Sequence, residues 1–139
     1  MEILNRKARY NCFIDKEIEC GISLAGTEVK SIRKGSVDIS DSFVLIKNGE
    51  AEIINMYIAP YENGNRYNKN ERRTRKLLLH KEEIKKLQNK MKEKNYTLVP
   101  LKVYFKNNKV KVLVGLARGK KLYDKRETIK QRDLERLNK

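Results

Sequence analysis

From Tyr10 to Leu24 apolar side chains recur at every second position: Tyr10, Cys12, Ile14, Ile18, Cys20, Ile22 and Leu24 share one parity, interrupted by Lys16, while the other parity is polar or small apart from Phe13. A period of two is strand geometry, with one face buried and one wet, as in an antiparallel sheet. So long a strand is expected to bend, and Gly21 is the natural place. Gly26-Thr27-Glu28-Val29-Lys30-Ser31-Ile32-Arg33-Lys34-Gly35 then predicts a short helix, with Thr27 as its cap, Val29 and Ile32 on one face and Gly35 ending it. Ser36 to Ser42 reads as a polar connection whose turn is made by Ser40 and Asp41.

Phe43 to Lys47 and Ala51 to Ile58 flank Asn48-Gly49, a dipeptide that supplies the positive φ angles of a type I′ turn, so a hairpin is predicted. A second hairpin joins Tyr96–Phe105 to Val110–Ala117 around Asn107-Asn108, with Val110, Val112, Val114 and Leu116 on one face. Pro100 places part of its first strand on a sheet edge. Between the hairpins, Ile84, Leu87 and Met91 fall at helical spacing within Lys81 to Lys94. Glu82 and Glu83 stand in that helix's first turn and Lys92 and Lys94 in its last, matching the helix dipole. With Leu77 and Leu78 just before it, this helix is expected to plug one end of the sheet.

The order strand, short helix, hairpin, helix, hairpin predicts a mainly β fold with helices: an OB-like closed antiparallel β-barrel of five or six strands with two to three helices, followed by a disordered basic C-terminal tail. Closure removes exposed strand edges. An open α+β sandwich is the alternative. The barrel is expected over residues 1–117 and the flexible tail over 118–139. Tyr61 to Lys76 reads as an exposed loop with six basic residues against two acidic ones. From Arg118 onward nine basic residues face four acidic ones, with too few apolar side chains to fold alone.

Charge narrows the function. Across 139 residues, 33 Lys plus Arg against 18 Asp plus Glu leave +15, a self-repulsion that points to a polyanionic partner. Nucleic acid fits better than a membrane surface, because the charge is spread over loops, strands and terminus rather than along one amphipathic helix. No run approaches the roughly 18 apolar residues of a membrane span, and the opening residues lack a signal peptide's apolar region, so a cytoplasmic protein is expected. Cys12 and Cys20 form no CxxC and read as reduced, buried thiols. One His cannot build a His-rich zinc site or a triad, so neither metal nor cofactor is expected.

Three basic regions, the opening Asn5-Arg6-Lys7-Ala8-Arg9, the 66–76 loop and the tail, supply enough phosphate contacts for salt-dependent binding. RNA is favoured over duplex DNA, since no helix-turn-helix, zinc finger or zipper is present and barrel faces take irregular nucleic acid by stacking. Tyr10, Tyr61, Tyr67, Tyr104 and Tyr123 are candidate stacking groups, or core and rim residues. Glu28-Val29-Lys30, with Asp15 upstream, is the one pattern that resembles a Mg²⁺ nuclease, but Glu28 falls on a predicted helix. Gly115 to Lys121 is too short for a P-loop and lacks its Ser or Thr. The tail's Ile129, Leu134 and Leu137 suit a helix formed only on a polyanionic surface.

Gly26-Thr27-Glu28-Val29-Lys30-Ser31, Ile39-Ser40-Asp41-Ser42, Thr74-Arg75-Lys76-Leu77-Leu78-Leu79, and Gly119-Lys120-Lys121 followed by Asp124-Lys125-Arg126 occur in this order along the chain. In these motifs it resembles the small protein B family, the SsrA-binding (tmRNA-binding) proteins of bacterial trans-translation. The resemblance implies an OB-like barrel with a basic tail and no bond chemistry of its own. It implies binding to the tRNA-like domain of tmRNA and delivery, with elongation factor Tu acting through that RNA, to 70S ribosomes stalled on messages without a stop codon.

By the same resemblance, Asn5, Glu19, Leu77 and Lys111 match positions of the RNA-binding surface, with Arg6, Lys7, Arg75 and Lys76 as basic neighbours. Asp124, Lys125 and Arg126 match a tail motif of the decoding centre, and Lys120, Lys121, Tyr123, Lys130 and Arg132 extend the expected contact into the mRNA channel. Tyr123 stands where some relatives carry His. A generic single-strand-binding or ribosome-associated OB module is the alternative function.

Overall fold

The computed structural model describes residues 2–61, 70–93 and 96–119. Residues 120–139 of the expected tail and residues 62–69 of the expected basic loop, Arg66, Tyr67 and Lys69 included, lie outside the described residues.

Among the described residues nine strands and three helices follow in the order β1 (Glu2–Leu4), α1 (Arg6–Asn11), β2 (Cys12–Ile22), α2 (Gly26–Arg33), β3 (Val37–Asp38), β4 (Phe43–Lys47), β5 (Glu50–Ile54), β6 (Tyr57–Ile58), β7 (Arg75–Leu78), α3 (Lys81–Glu93), β8 (Thr97–Lys106) and β9 (Lys109–Gly119). The large sheet runs β1-β8-β4-β5-β7-β2-β9, and β9 also pairs with β8. That last ladder closes a ring of six antiparallel strands, with β1 lying outside it on β8 and β3–β6 forming a separate two-stranded ribbon. The expected closed barrel is therefore present, and the open sandwich is not.

Both hairpins turn at the expected dipeptides, Asn48-Gly49 with the expected positive φ of 54° and 74°, and Asn107-Asn108 likewise with 52° and 63°. Gly35, at φ 76°, ends α2 as expected. The core fills the ring with inward-facing residues of every strand, among them Cys20, Ile53, Leu77, Leu98, Val112 and Leu116. Ile84 and Leu87 of α3 are buried and Met91 packs partly against the core, as the helical spacing predicted. Both cysteines are free thiols, and burial pushes Cys20 up to about 12. Among the described residues no helix is long and apolar enough to cross a membrane.

Several local expectations are overturned, each by a contact that is distant in sequence. Tyr10 belongs to α1, not to the long strand, because Asn5 caps a helical turn there: its Oδ1 accepts from the Ala8 N–H at 3.1 Å. The bend in β2 sits at Asp15 rather than Gly21, since one extra residue separates Ile14↔Ala117 from Lys16↔Leu116. Asp15 is held in that bulge by the Tyr96 hydroxyl, 2.6 Å away, and by Arg118.

The cap of α2 is Ala25, not Thr27. The Glu28 carboxylate accepts the Ala25 N–H at 2.9 Å from within the first turn, so no hydroxyl is needed. Pro100 stands, as expected, where one side of β8 is locally unpaired, although the strand as a whole is interior. Between the β4 contact at Leu98 and the β1 contacts at Lys102 to Tyr104, β8 shifts register against β9, and there a residue without an N–H costs no ladder bond. Finally, residues 75–78 form β7, closing β5 onto β2, where an exposed loop was expected up to Lys76.

Asn5 ties three segments together. Besides capping α1, its Nδ2 donates to the Pro100 carbonyl at 2.8 Å and the Ile39 carbonyl at 3.2 Å, and the side chain is buried. Asn5→Ala removes the cap and leaves two buried carbonyls short of a donor. It should lower unfolding free energy by about 2–3 kcal/mol, measured by denaturant titration.

Candidate nucleic-acid interface

Alternation along three neighbouring strands builds the most distinctive exposed face. On β2, Cys20 and Ile22 point inward, leaving Glu19 and Gly21 outside; on β9, buried Val110 and Val112 leave Lys109 and Lys111 outside; on β7, buried Leu77 leaves Leu78 outside. Register sets Gly21 opposite Lys111 on one side and Leu78 on the other. The result is a shallow groove lined by Glu19, Gly21, Leu78, His80, Lys109 and Lys111. Gly21 is its floor: a Cβ there would stand 3.1 Å from Leu78 Cβ, so any larger residue would displace the exposed leucine.

The groove is electrostatically prepared. Lys106 Nζ donates to Glu19 at 3.2 Å, and that bond, helped by Tyr104 and by the nearby charge of Lys111, holds the Glu19 carboxyl below its usual range. Tyr104 is pushed up to about 12 by burial and by the carboxylate it faces, so it stays a protonated donor. Glu19 is thus an ionised acceptor whose charge is already countered, and it can take a base amino group or a 2′-hydroxyl beside phosphates. Lys109 and Lys111 make no ion pair among the described residues and are available to phosphate, while Leu78, 54% exposed, offers an apolar seat for a base.

The other end of the β2–β9 ladder has different chemistry. Cys12 pairs with Gly119 and Phe13 with Arg118, whose guanidinium lies 5.7 Å over the Phe13 ring. Tyr10 and Phe13 are exposed there, with Arg6 and Lys7 of α1; Lys7 is 3.5 Å from Asp41 in an exposed pair of little strength. Cys12 and Gly21 are nine positions apart on β2, roughly 30 Å of strand.

Of the residues expected at an RNA surface, Glu19 and Lys111 meet in the groove, whereas Arg6 and Lys7 sit at the far end. Lys76 is exposed on β7 and bonded to Glu50 at 2.8 Å. Three expectations are corrected. Asn5 is buried in its capping role. Leu77 is in the core, and its neighbour Leu78 is the exposed leucine. Arg75 is wholly buried: its Nε donates to Glu28 at 2.6 Å, Nη1 to the Met56 carbonyl at 2.6 Å and Nη2 to the Glu71 carbonyl at 3.1 Å. An inward arginine on a core strand is tolerable only because each guanidinium nitrogen finds an acceptor and Glu28 supplies the countercharge.

Arg73 also grips Glu28, so the carboxylate of the suspected E-x-K pair is engaged by two guanidinium groups and the Ala25 N–H. Burial alone would raise Glu28, but these bonds outweigh it and hold the carboxyl below its usual range. Glu28 is therefore a structural anchor. Lys120, Lys121, Tyr123, Asp124, Lys125, Arg126, Lys130 and Arg132 lie outside the described residues.

Sequence reasoning missed Gly21, Leu78, His80 and Lys109. For Lys109 the signal was present, since it shares the outward parity of Lys111 against the valines. For the others it was not, because the groove exists only once β7 is laid against β2.

Fold and face together define the class: a small, strongly basic OB-like barrel with the surface chemistry of a nucleic-acid-binding protein. The family described as SmpB protein matches residues 2–139, and the chain belongs to it. It is 60% identical over 129 residues to the SsrA-binding protein of Acetivibrio thermocellus, covering 93% of this chain and 84% of that one. Identity to the SsrA-binding protein of Bacillus velezensis is 56% over 132 residues, covering 95% of this chain and 85% of that one. A chain solved under the description "tmRNA-SmpB: a journey to the center of the bacterial ribosome" superposes with a TM-score of 0.71 at 51% identity, covering 85% of this chain and 83% of that one.

Proposed function

We propose that this protein binds the tRNA-like domain of tmRNA (SsrA RNA) in the Glu19–Lys111 groove and delivers it to stalled ribosomes for trans-translation. In this scheme the barrel, residues 2–119, is the RNA-binding unit, two residues longer than the expected boundary because β9 runs to Gly119. Residues 120–139 enter the empty mRNA channel and the decoding centre. Elongation factor Tu acts through the RNA, and the chain performs no bond chemistry itself.

One observation carries the proposal: the groove and Gly119, from which the C-terminal segment departs, lie at opposite ends of one ladder. A protein that holds one RNA while probing another site needs that separation. Membership of the SmpB family and relatives named for SsrA and tmRNA support tmRNA as that RNA.

The test is competition. At physiological salt, excess unlabelled tRNA-like domain should displace the labelled RNA while equal amounts of unrelated structured RNA should not; equal displacement by both would reduce the protein to a generic RNA binder. Lys111→Gln should weaken binding about fivefold and lower the slope of log affinity against log salt by about one, as expected for one phosphate contact. A slope equal to that of the unaltered chain would remove Lys111 from the interface.

A further inference from the structure

We propose that the RNA path does not stop at Glu19 but continues between β2 and α3 to Lys16 and Lys86, so that α3 is a wall of the RNA groove. This rests on the function proposed above and adds to it a second phosphate-binding end. The groove's Glu19 and Glu83 also line an adjoining concavity whose other walls include Lys16, Ile18, Lys86 and Leu87. The two form one trough along β2 on the side where α3 lies, beyond the short β7 pairing at Gly21 and Ile22, and residues of both parities line it. Lys16 and Gly21 are five residues apart, roughly 17 Å of strand, a length suited to a few unpaired nucleotides at the low end of the sites found on such barrels.

The trough combines lysines that have no ion pair among the described residues with acids neutralised from outside it. Elsewhere on the barrel, Lys7, Arg9, Lys76, Lys102, Lys106 and Arg118 each have a carboxylate within 3.5 Å. Lys16, Lys86, Lys109 and Lys111, which line the trough, have none among the described residues. Its acids are treated in the opposite way. Glu17 is neutralised by Arg9 of α1 at 3.1 Å and Glu19 by Lys106 of β8 at 3.2 Å, both from outside the trough. Among the described residues Glu83 is the one acid of the three without a cation. Glu17 and Glu19, compensated from outside, stand between lysines without ion pairs, which gives a positive channel at both ends with hydrogen-bond acceptors in its middle. That arrangement fits a strand whose phosphates bracket a base or ribose presenting donors.

The α3 side follows from helical spacing. Glu83, Lys86 and Leu87 stand three and four residues apart and share one face, with Leu87 rooted in the core so that Lys86 is held over β2. His80, at the start of the helix, borders the groove beside Lys111 and adds a ring that can stack or donate.

The experiment measures binding of the full chain to the tRNA-like domain of tmRNA across a salt series. It compares Lys16→Gln/Lys86→Gln with a control that loses the same charge outside the trough, Lys47→Gln/Lys85→Gln. All four lysines are exposed, and matched thermal midpoints confirm folding. The trough variant should bind about 10- to 30-fold more weakly at physiological salt, with the salt slope reduced by about two; the control should stay within twofold of the unaltered chain. Equal behaviour of the two doubles, while Lys111→Gln still weakens binding, would overturn the α3 path and leave the groove intact. Absence of binding by the unaltered chain would remove both.

Discussion

Glu28→Ala should cost about 3–5 kcal/mol of stability, because it leaves Arg75 charged, fully buried and facing Arg73 without a counterion. For a barrel of this size the thermal midpoint should fall by more than about 10 °C. The loss should be local in origin. Arg75 also holds the carbonyls of Met56 and Glu71, and the Glu71 carbonyl takes the Ile58 N–H, so β6 and the 70–74 segment lose their common anchor. Replacing both partners, as in Glu28→Leu/Arg75→Met, should recover much of the loss, since apolar pairs of similar volume avoid the desolvation of two ions. A double variant no more stable than Glu28→Ala would show that the bonds to Met56 and Glu71, not the charge pair, carry the effect.

The pH dependence has a definite sign. Because the folded protein holds Glu28 below its usual range, the pair's contribution is fully present above the unfolded carboxyl value, about 4.3, and is lost as pH falls through the lower folded value. Stability of the unaltered chain should therefore drop below about pH 4 more steeply than that of Glu28→Gln. Parallel acid limbs would deny Glu28 this role.

Truncation after Lys121 should separate the two halves of the proposed function: affinity for the tRNA-like domain should stay within about twofold, while peptide tagging on stalled ribosomes should be lost. The residues removed include Lys125, Arg126, Lys130, Arg132, Arg136 and Lys139, a cationic stretch suited to an RNA-lined channel. Ordering such a segment costs roughly 1–2 kcal/mol per residue of backbone freedom, to be offset by phosphate contacts along the channel. In the proposed scheme an intact message would occupy the same volume and deny those contacts, so that vacancy would be the signal. Tagging by the truncated protein at the normal rate would refute the division.

Much of this architecture was legible in the sequence because it is locally determined. Asn48-Gly49 and Asn107-Asn108 must adopt positive φ, and Ile84, Leu87 and Met91 have one helical face, so the hairpins and α3 follow from nearest neighbours. The misread positions depend on partners far along the chain. Arg75 alternates with Lys76 as a strand residue should, but its inward orientation makes sense only with Glu28, 47 residues away. Asn5 looked like a surface hydrogen-bonding group, yet its bonds go to Pro100, 95 residues away. The candidate site divides in the same way. Glu19 and Lys111 were found from motif and charge, whereas Gly21 and Leu78 gained meaning only when β7 was placed against β2.

The β2–β9 ladder also makes the protein a gauge. With its nine paired positions closed into a ring, the interval between the lysine-lined cradle and the root of the C-terminal arm cannot stretch or contract without tearing hydrogen bonds on both flanks. Lengthening both strands by two residues would keep every side chain on its own face and push the two working ends about 7 Å further apart. The register of one antiparallel pair thus fixes how far the arm begins from whatever the cradle carries.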